Sequence, residues 1–99
     1  MRYLVHWKMR PSPPSEVLRL LPEDLAFCKG LMKQGKLLES YVLAGKPEGF
    51  EVFDVETNEE MHKIIMEAPF GPFLDFKVWP IVDFEFSLNT LKSVLEKGK

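Results

Sequence analysis

The chain is poor in cysteine and has neither a basic tract nor a long apolar run, and each shortage removes a class of function. Cys28 is the only cysteine among 99 residues, so an intrachain disulfide and a thiolate metal cluster are both excluded. Thirteen basic against fifteen acidic residues give a formal net charge of -2, which offers no electrostatic footprint for nucleic acid. No apolar run approaches the roughly 20 residues of a membrane span. Neither nucleic acid nor a membrane is therefore an expected partner.

The N-terminal segment also lacks the uninterrupted apolar stretch of a signal peptide. Arg2, His6, Lys8 and Arg10 interrupt it, and a signal peptide needs about 7 to 15 apolar residues there. We therefore expect a soluble protein located in the cytoplasm.

Apolar and aromatic residues, in contrast, are plentiful. Hydrophobic residues make up 45% of the sequence, and eight residues are phenylalanine. The segments between predicted elements are too short to be linkers, so residues 1–99 predict a single domain. A domain of this size hides only about two-thirds of its unfolded-chain surface, which favours a partner that covers leftover apolar area.

The first third of the chain predicts a strand and a helix. Residues of β-strand character alternate in the order Tyr3, Val5, Trp7 and Met9 against Leu4, His6 and Lys8. After a proline-rich break, a short turn capped by Ser15 is expected. The main helix is predicted over residues 22–34, because proline costs about 3 kcal/mol inside a helix and almost nothing in its first turn. Gly35 suits the left-handed stop that follows.

The remainder predicts a hairpin, a capped helix, a long strand and a terminal helix. Residues 36–44 and a strand that starts at Phe50 flank a five-residue turn. Thr57 and Glu60 form a capping box, which places the start of the second helix near Asn58. Residues 74–86 predict the last strand, and Ser87 is expected to cap the terminal helix.

The order βαββαβ followed by a helix predicts an α+β fold. This is the ferredoxin-like split βαβ plan, with two helices on one face of an antiparallel four-stranded sheet. The other sheet face needs a cover, either the third helix or a second subunit. We expect a homodimer or higher homo-oligomer built face to face through Tyr3, Val5, Trp7 and Met9. His6 and Lys8 are then expected to face the helices, where a cleft would lie.

Three segments of the chain resemble the muconolactone isomerase family of the dimeric α+β barrel superfamily. They are HWKM at residues 6–9, FDV at residues 53–55 before a helix with MH at 61–62, and PFGPFLD at residues 69–75. The resemblance implies a protomer whose sheet packs on a partner's sheet, with a ligand cleft between sheet and helices. It also implies a proton shift that moves a double bond in a lactone of aromatic catabolism. Pro22 and the terminal helix depart from the family pattern, and both bear on the rim of the cleft.

Four residues are candidates for the acid and base of such a reaction. The imidazole of His6 is a plausible general acid or base, and the resemblance places a histidine at this strand position. Its alternative role is that of a strand histidine that is hydrogen-bonded without taking part in a reaction. Glu23 and Asp24 ordinarily complement the dipole at a helix start, but one of them over an apolar cleft would have a raised pKa and could take a carbon-bound proton. Glu39 on the second strand is the fourth candidate, with an ordinary half-buried strand position as its alternative role.

Four further residues are predicted to contact a substrate, namely Lys8, Phe27, Tyr41 and Trp79. Tyr41 shares a strand face with Glu39, and its hydroxyl could donate to a developing enolate oxygen. Trp79, together with Trp7, would wall a planar ligand, although strand aromatics more often belong to a core.

The pattern favours two functions from different classes. The first is a cofactor-independent small-molecule isomerase, and the second is a non-catalytic dimeric protein that binds a small ligand or partner. A pocket holding His6 and a carboxylate favours the enzyme, whereas a cleft filled by Phe27 and Trp79 favours the binder. His6 and His62 lack ligand spacing, and glycine-rich phosphate loops and nucleophile elbows are missing from the sequence. No metal and no cofactor are therefore expected.

Overall fold

An antiparallel four-stranded sheet organises the molecule, and the computed structural model describes residues 1–98. The elements are β1 (Arg2–Met9), α1 (Pro14–Lys33), β2 (Leu37–Val42), β3 (Glu48–Asp54), α2 (Asn58–Glu67), a 3-10 turn (Gly71–Phe73), β4 (Leu74–Ile81) and α3 (Phe84–Lys97). The strand order is β2-β3-β1-β4, and every neighbouring pair is antiparallel. The predicted α+β, ferredoxin-like arrangement is confirmed.

One face of the sheet packs against α1 and α2 and forms the core. The buried core residues are Tyr3, Val5, Leu31, Leu37, Phe53, Val55, Met61 and Ile64. Val5, at the centre of β1, is only 1% exposed. The prediction that Tyr3, Val5, Trp7 and Met9 form a dimer face is therefore wrong, because this side of β1 lies under the helices. The alternation of side chains along a strand shows which residues share a face of the sheet. It does not show which of the two faces the helices cover.

The opposite side of the sheet, called the open face below, is not covered by a helix in residues 1–98. Strand register places on it Leu4, His6, Lys8, Glu39, Tyr41, Glu48, Phe50, Val52, Lys77, Trp79 and Ile81. Tyr41 is 62% exposed and Trp79 is 44% exposed. The open face thus presents aromatic and aliphatic side chains between charged ones.

Helix α3 projects away from the sheet, and all of its residues are exposed. Its N-cap is Asp83, which lies 3.5 Å from the Arg2 guanidinium. The predicted cap at Ser87 is wrong, as is the predicted strand end at residue 86, because the ladder with β1 ends where Arg2 pairs with Ile81. An apolar stripe recurs at helical spacing along α3, at Phe84, Leu88, Leu91 and Leu95.

Helix α1 is continuous, with Pro22 in its interior. The predicted break at Pro22 is wrong, and the N-cap is Pro13 instead of Ser15. Proline removes one backbone bond at a cost of about 3 kcal/mol, and packing of the helix against the sheet offsets it. The predicted stop is confirmed, since Gly35 has φ 72° and the Lys36 amide donates to the Leu31 carbonyl at 3.0 Å.

A β-bulge interrupts the pairing of β2 with β3. Leu37 lies opposite Phe53 and Glu39 lies opposite Val52, so Leu38 is the extra residue. Beyond the bulge, Ser40 lies opposite Glu51 on the helix-covered side.

Helix α2 begins at the predicted cap. The Thr57 side chain accepts a bond from the Glu60 amide at 3.1 Å, and the Glu60 carboxylate accepts from the Glu56 amide at 3.0 Å. We expect Thr57→Ala to lower the free energy of unfolding by about 1 kcal/mol, because one helix amide loses its partner. Urea unfolding measures this cost, and Thr57→Ser, which keeps the hydroxyl, serves as control. Equal stability of the alanine variant and the wild type would contradict the assignment.

Candidate active site

A cavity of about 190 Å³ lies between the helix-covered sheet face and the two helices. Its walls are mainly aromatic and aliphatic, with Trp7, Phe27, Phe53, Phe70 and Phe76 among the lining residues. Four lining residues carry polar side-chain atoms that bear on chemistry, namely Asp24, Cys28, Ser40 and Glu51. The cavity is partly open to solvent and therefore holds two carboxylates between largely apolar walls.

Glu51 projects into the cavity from β3, where it pairs with Val5 on one side and Ser40 on the other. The Ser40 hydroxyl donates to Glu51 Oε2 at 3.3 Å. Burial raises the pKa of Glu51 above its ordinary value, the negative charge of Asp24 raises it further, and the Ser40 bond opposes the shift. A carboxylate in this setting is a stronger base than one in water.

Asp24 enters the cavity from α1 and is held by two donors. Its Oδ1 accepts from the backbone amide of Phe70 at 3.1 Å, and its Oδ2 lies 3.9 Å from the Cys28 thiol. Burial raises the pKa of Asp24, while these two bonds lower it in part. The Phe70 bond joins α1 to the loop before the 3-10 turn, so the Asp24 carboxylate is fixed by the fold.

Cys28 lies one helical turn after Asp24 and faces the same cavity. Burial raises the pKa of the Cys28 thiol to about 12, with further contributions from the charges of Asp24 and Glu51. The thiol is therefore protonated near neutral pH and acts as a donor toward Asp24 instead of as a nucleophile.

The structure brings two of the eight predicted site residues to the cavity, Asp24 and Phe27. Register places five others on the open face: His6, Lys8, Glu39, Tyr41 and Trp79. The eighth, Glu23, is exposed on α1. The predicted orientation of His6 and Lys8 toward the helices is wrong, because these residues alternate with the buried side chains of β1.

On the open face, His6 is part of a small polar cluster. His6 Nε2 lies 2.8 Å from Glu48 Oε2, and the ring packs 4.8 Å from the Phe50 ring centroid. This hydrogen bond lowers the pKa of Glu48. Nearby, the Tyr41 hydroxyl donates to Glu39 Oε1 at 3.3 Å. The sheet separates these groups from Asp24 and Glu51.

Sequence analysis missed Glu51, although a signal for it exists. Glu51 alternates with Phe53 and Val55 on β3, so a carboxylate stands on an otherwise apolar face. Ser40 was missed because the bulge at Leu38 shifts the alternation of β2. The residues around Leu38 show no pattern that predicts a bulge.

Two searches of the described residues concern other classes of site. Within residues 1–98, histidine, cysteine, aspartate and glutamate do not gather into a group of three or more suited to a metal ion. Across the same residues, the helices are too short or too polar to span a bilayer.

The sequence over residues 1–85 matches the family model of muconolactone delta-isomerase. The chain belongs to the muconolactone delta-isomerase family. Muconolactone Delta-isomerase 1 of Acinetobacter lwoffii is 32% identical over 83 residues, which is 79% of this chain and 86% of the relative. The Acinetobacter baylyi muconolactone Delta-isomerase is 29% identical over 66 residues, or 67% of this chain and 69% of the relative.

Two solved structures share the fold. A crystal structure of muconolactone isomerase superposes with a TM-score of 0.76 at 23% identity, covering 84% of this chain and 90% of the other. The 5-chloro-2-hydroxyhydroquinone dehydrochlorinase of Burkholderia phenoliruptrix, in complex with 2,5-dihydroxybenzoquinone, gives a TM-score of 0.70 at 18% identity, covering 87% and 98%. Helix α3 lies almost wholly beyond the stretch that matches the muconolactone delta-isomerase family model.

Proposed function

We propose that the protein is a cofactor-independent isomerase of the muconolactone isomerase type, which moves a proton and a double bond in a small lactone or a related metabolite of aromatic catabolism. The observation that carries the proposal is the pair Asp24 and Glu51, two carboxylates with raised pKa values in one apolar cavity. Carboxylates tuned in this way are suited to taking a proton from carbon and returning it. Family membership supports the reaction class.

In the proposed mechanism Glu51 is the base. Its carboxylate takes a proton from the saturated ring carbon at the far end of the conjugated double bond, and the electron pair of the broken C–H bond spreads into a dienolate. The Glu51 carboxyl then returns a proton to the carbon next to the lactone carbonyl, which moves the double bond and restores the carboxylate. Substrate and product are isomers, so the cycle consumes no second reactant. The Ser40 hydroxyl, 3.3 Å from Glu51 Oε2, orients the carboxyl group.

Asp24 has a supporting role in this mechanism. The Phe70 amide and the Cys28 thiol hold it in place, and its charge helps to raise the pKa of Glu51. A base whose pKa lies closer to the working pH returns its proton more readily to the dienolate.

Proton NMR in D₂O tests the proposal. We expect the protein to exchange deuterium into the carbon next to the carbonyl of an unsaturated γ-lactone and to shift its double bond. The control variant Glu67→Gln is expected to exchange deuterium as the wild type does, because Glu67 is an exposed residue of α2 outside the cavity. Failure to exchange a lactone that binds in the cavity would favour the alternative of a non-catalytic binding protein.

We also propose that the protein is a homodimer that buries the open face. Four strands about 4.8 Å apart and some 25 Å long give the open face a surface of roughly 500 Å². The exposed apolar stripe of α3 adds roughly 200 Å² of surface. The sum is near the roughly 800 Å² that each partner contributes to a standard interface. A second copy is the occupant that supplies a matching sheet face, since a two-fold axis pairs a surface with itself.

Sedimentation velocity tests the dimer at micromolar concentration. We expect a dimer for the wild type and a shift toward monomer for Phe50→Asp, because Phe50 lies near the middle of the open face beside His6. The matched control is Val42→Asp, which places the same charge on the exposed helix-side edge of β2. A wild-type monomer, or equal behaviour of the two variants, would contradict this interface.

A further inference from the structure

The charged side chains that line the cavity are both acidic. Among residues 1–98 they are Asp24 and Glu51. Within residues 1–98, lysine, arginine and histidine are absent from the cavity lining, and burial raises the pKa values of both carboxylates. An incoming anion thus meets negative charge between largely apolar walls, where repulsion is stronger than in water.

Three hydrogen-bond donors at the cavity are committed to these carboxylates. The Ser40 hydroxyl donates to Glu51, while the Phe70 amide and the Cys28 thiol donate to Asp24. A ligand carboxylate that reached these donors would have to displace Asp24 or Glu51 from them. These three donors therefore stabilise the chain's own charges and not those of a ligand.

The size of the cavity limits the ligand to one ring. An apolar cavity of about 150 Å³ takes up a benzene molecule, so about 190 Å³ fits a single ring with small substituents. The aromatic walls at Trp7, Phe27 and Phe53 suit a planar ring.

We infer that the cavity selects an uncharged, single-ring lactone and discriminates against lactones that carry a carboxylate. The inference rests on the proposed function and narrows its substrate class. Muconolactone is formed by closing one carboxyl group of a dicarboxylic acid, so it retains the other as an anion at neutral pH. A neutral ester of the same lactone keeps the ring and the acidic C–H bond and carries no charge.

The decisive experiment compares muconolactone with its methyl ester at pH 7.5. Isothermal titration calorimetry gives the Kd of each compound, and we expect the ester to bind at least tenfold more tightly. In Glu51→Gln, which removes one of the two charges, we expect this preference to fall severalfold. Glu67→Gln removes a charge from the exposed surface of α2 and is expected to leave the preference unchanged. Circular dichroism verifies the fold of each variant.

The possible outcomes separate this inference from the proposed function. Equal or tighter binding of the acid overturns the inference, as does binding of neither compound, or a preference that stays unchanged in Glu51→Gln. Deuterium exchange is scored separately in the same samples. An ester that binds preferentially without exchange supports the inference and refutes the isomerase. An acid that binds more tightly and exchanges overturns the inference alone.

Discussion

Turnover of a lactone substrate is expected to fall by about a hundredfold or more in Glu51→Gln, because glutamine keeps the shape of the side chain but cannot take a proton. In the wild type, kcat/KM should rise with pH as Glu51 ionises. The midpoint of that rise should lie above the ordinary glutamate value of 4.5, since burial and Asp24 raise the pKa of Glu51. Steady-state rates between pH 4 and 8 measure both effects. Wild-type turnover in Glu51→Gln would move the role of base to another group.

The same substitution is expected to stabilise the protein at neutral pH. A raised pKa means that the folded chain binds the Glu51 proton more tightly than the unfolded chain does. The resulting stability is fully present below the unfolded pKa and is lost as the pH rises through the folded pKa. Glu51→Gln removes this loss, so its Tm should exceed that of the wild type at pH 7.5.

The difference in Tm should shrink toward zero below the ordinary glutamate pKa, where Glu51 is neutral in both states. Glu67→Gln controls for the loss of a surface charge. A lower Tm for Glu51→Gln at pH 7.5 would show that ionised Glu51 stabilises the fold. That result would contradict the expectation that a buried catalytic carboxylate reduces stability.

Gly49→Ala is expected to destabilise the protein by about 1 to 3 kcal/mol, the cost of adding a methyl group to a packed interior. Gly49 is buried at the start of β3. An added Cβ would overlap the Tyr41 carbonyl oxygen and lie 2.9 Å from Cζ2 of Trp7. Because backbone gives way less easily than a flexible side chain, the β2–β3 pairing must shift. Trp7 lines the cavity, so turnover should fall as well.

Gly30→Ala is the matched control for this glycine. Gly30 lies inside α1, and an added Cβ would have no neighbour within 4 Å. Alanine there is expected to stabilise the protein by roughly 0.5 to 1 kcal/mol, because glycine loses more backbone freedom in a helix. Urea unfolding compares the two variants. Gly49→Ala with a stability equal to that of the wild type would contradict the close approach at β3.

The sequence predicts the order of the elements well because local rules govern it. Alternation in β1, the cap at Thr57 and the left-handed stop at Gly35 each depend on a few neighbouring residues. The continuity of α1 was not predictable in this way. The cost of Pro22 is local, but the packing that offsets it comes from the sheet.

The site was predicted less well because it depends on which face of the sheet the helices cover. His6 and Tyr3 alternate on β1, and either side of the strand carries apolar residues. The helix stripes of α1 and α2 decide the matter through Leu31, Met61 and Ile64, all of which are distant in sequence. Asp24 was found by its place on α1, whereas Glu51 becomes evident only once its face is known to be covered.

The bulge at Leu38 determines which side chain of β2 lies opposite Glu51 in the cavity. Because β2 has one extra residue there, Ser40 stands opposite Glu51 and gives it a hydroxyl. In a regular ladder that continued from the pair Leu37 and Phe53, Leu38 would lie opposite Val52, and Glu39 would take the place of Ser40 opposite Glu51. A third carboxylate would then replace the only side-chain donor that the structure records to Glu51 within residues 1–98. The one extra residue in β2 thus sets the polarity of the cavity without altering any of the residues that line its apolar walls.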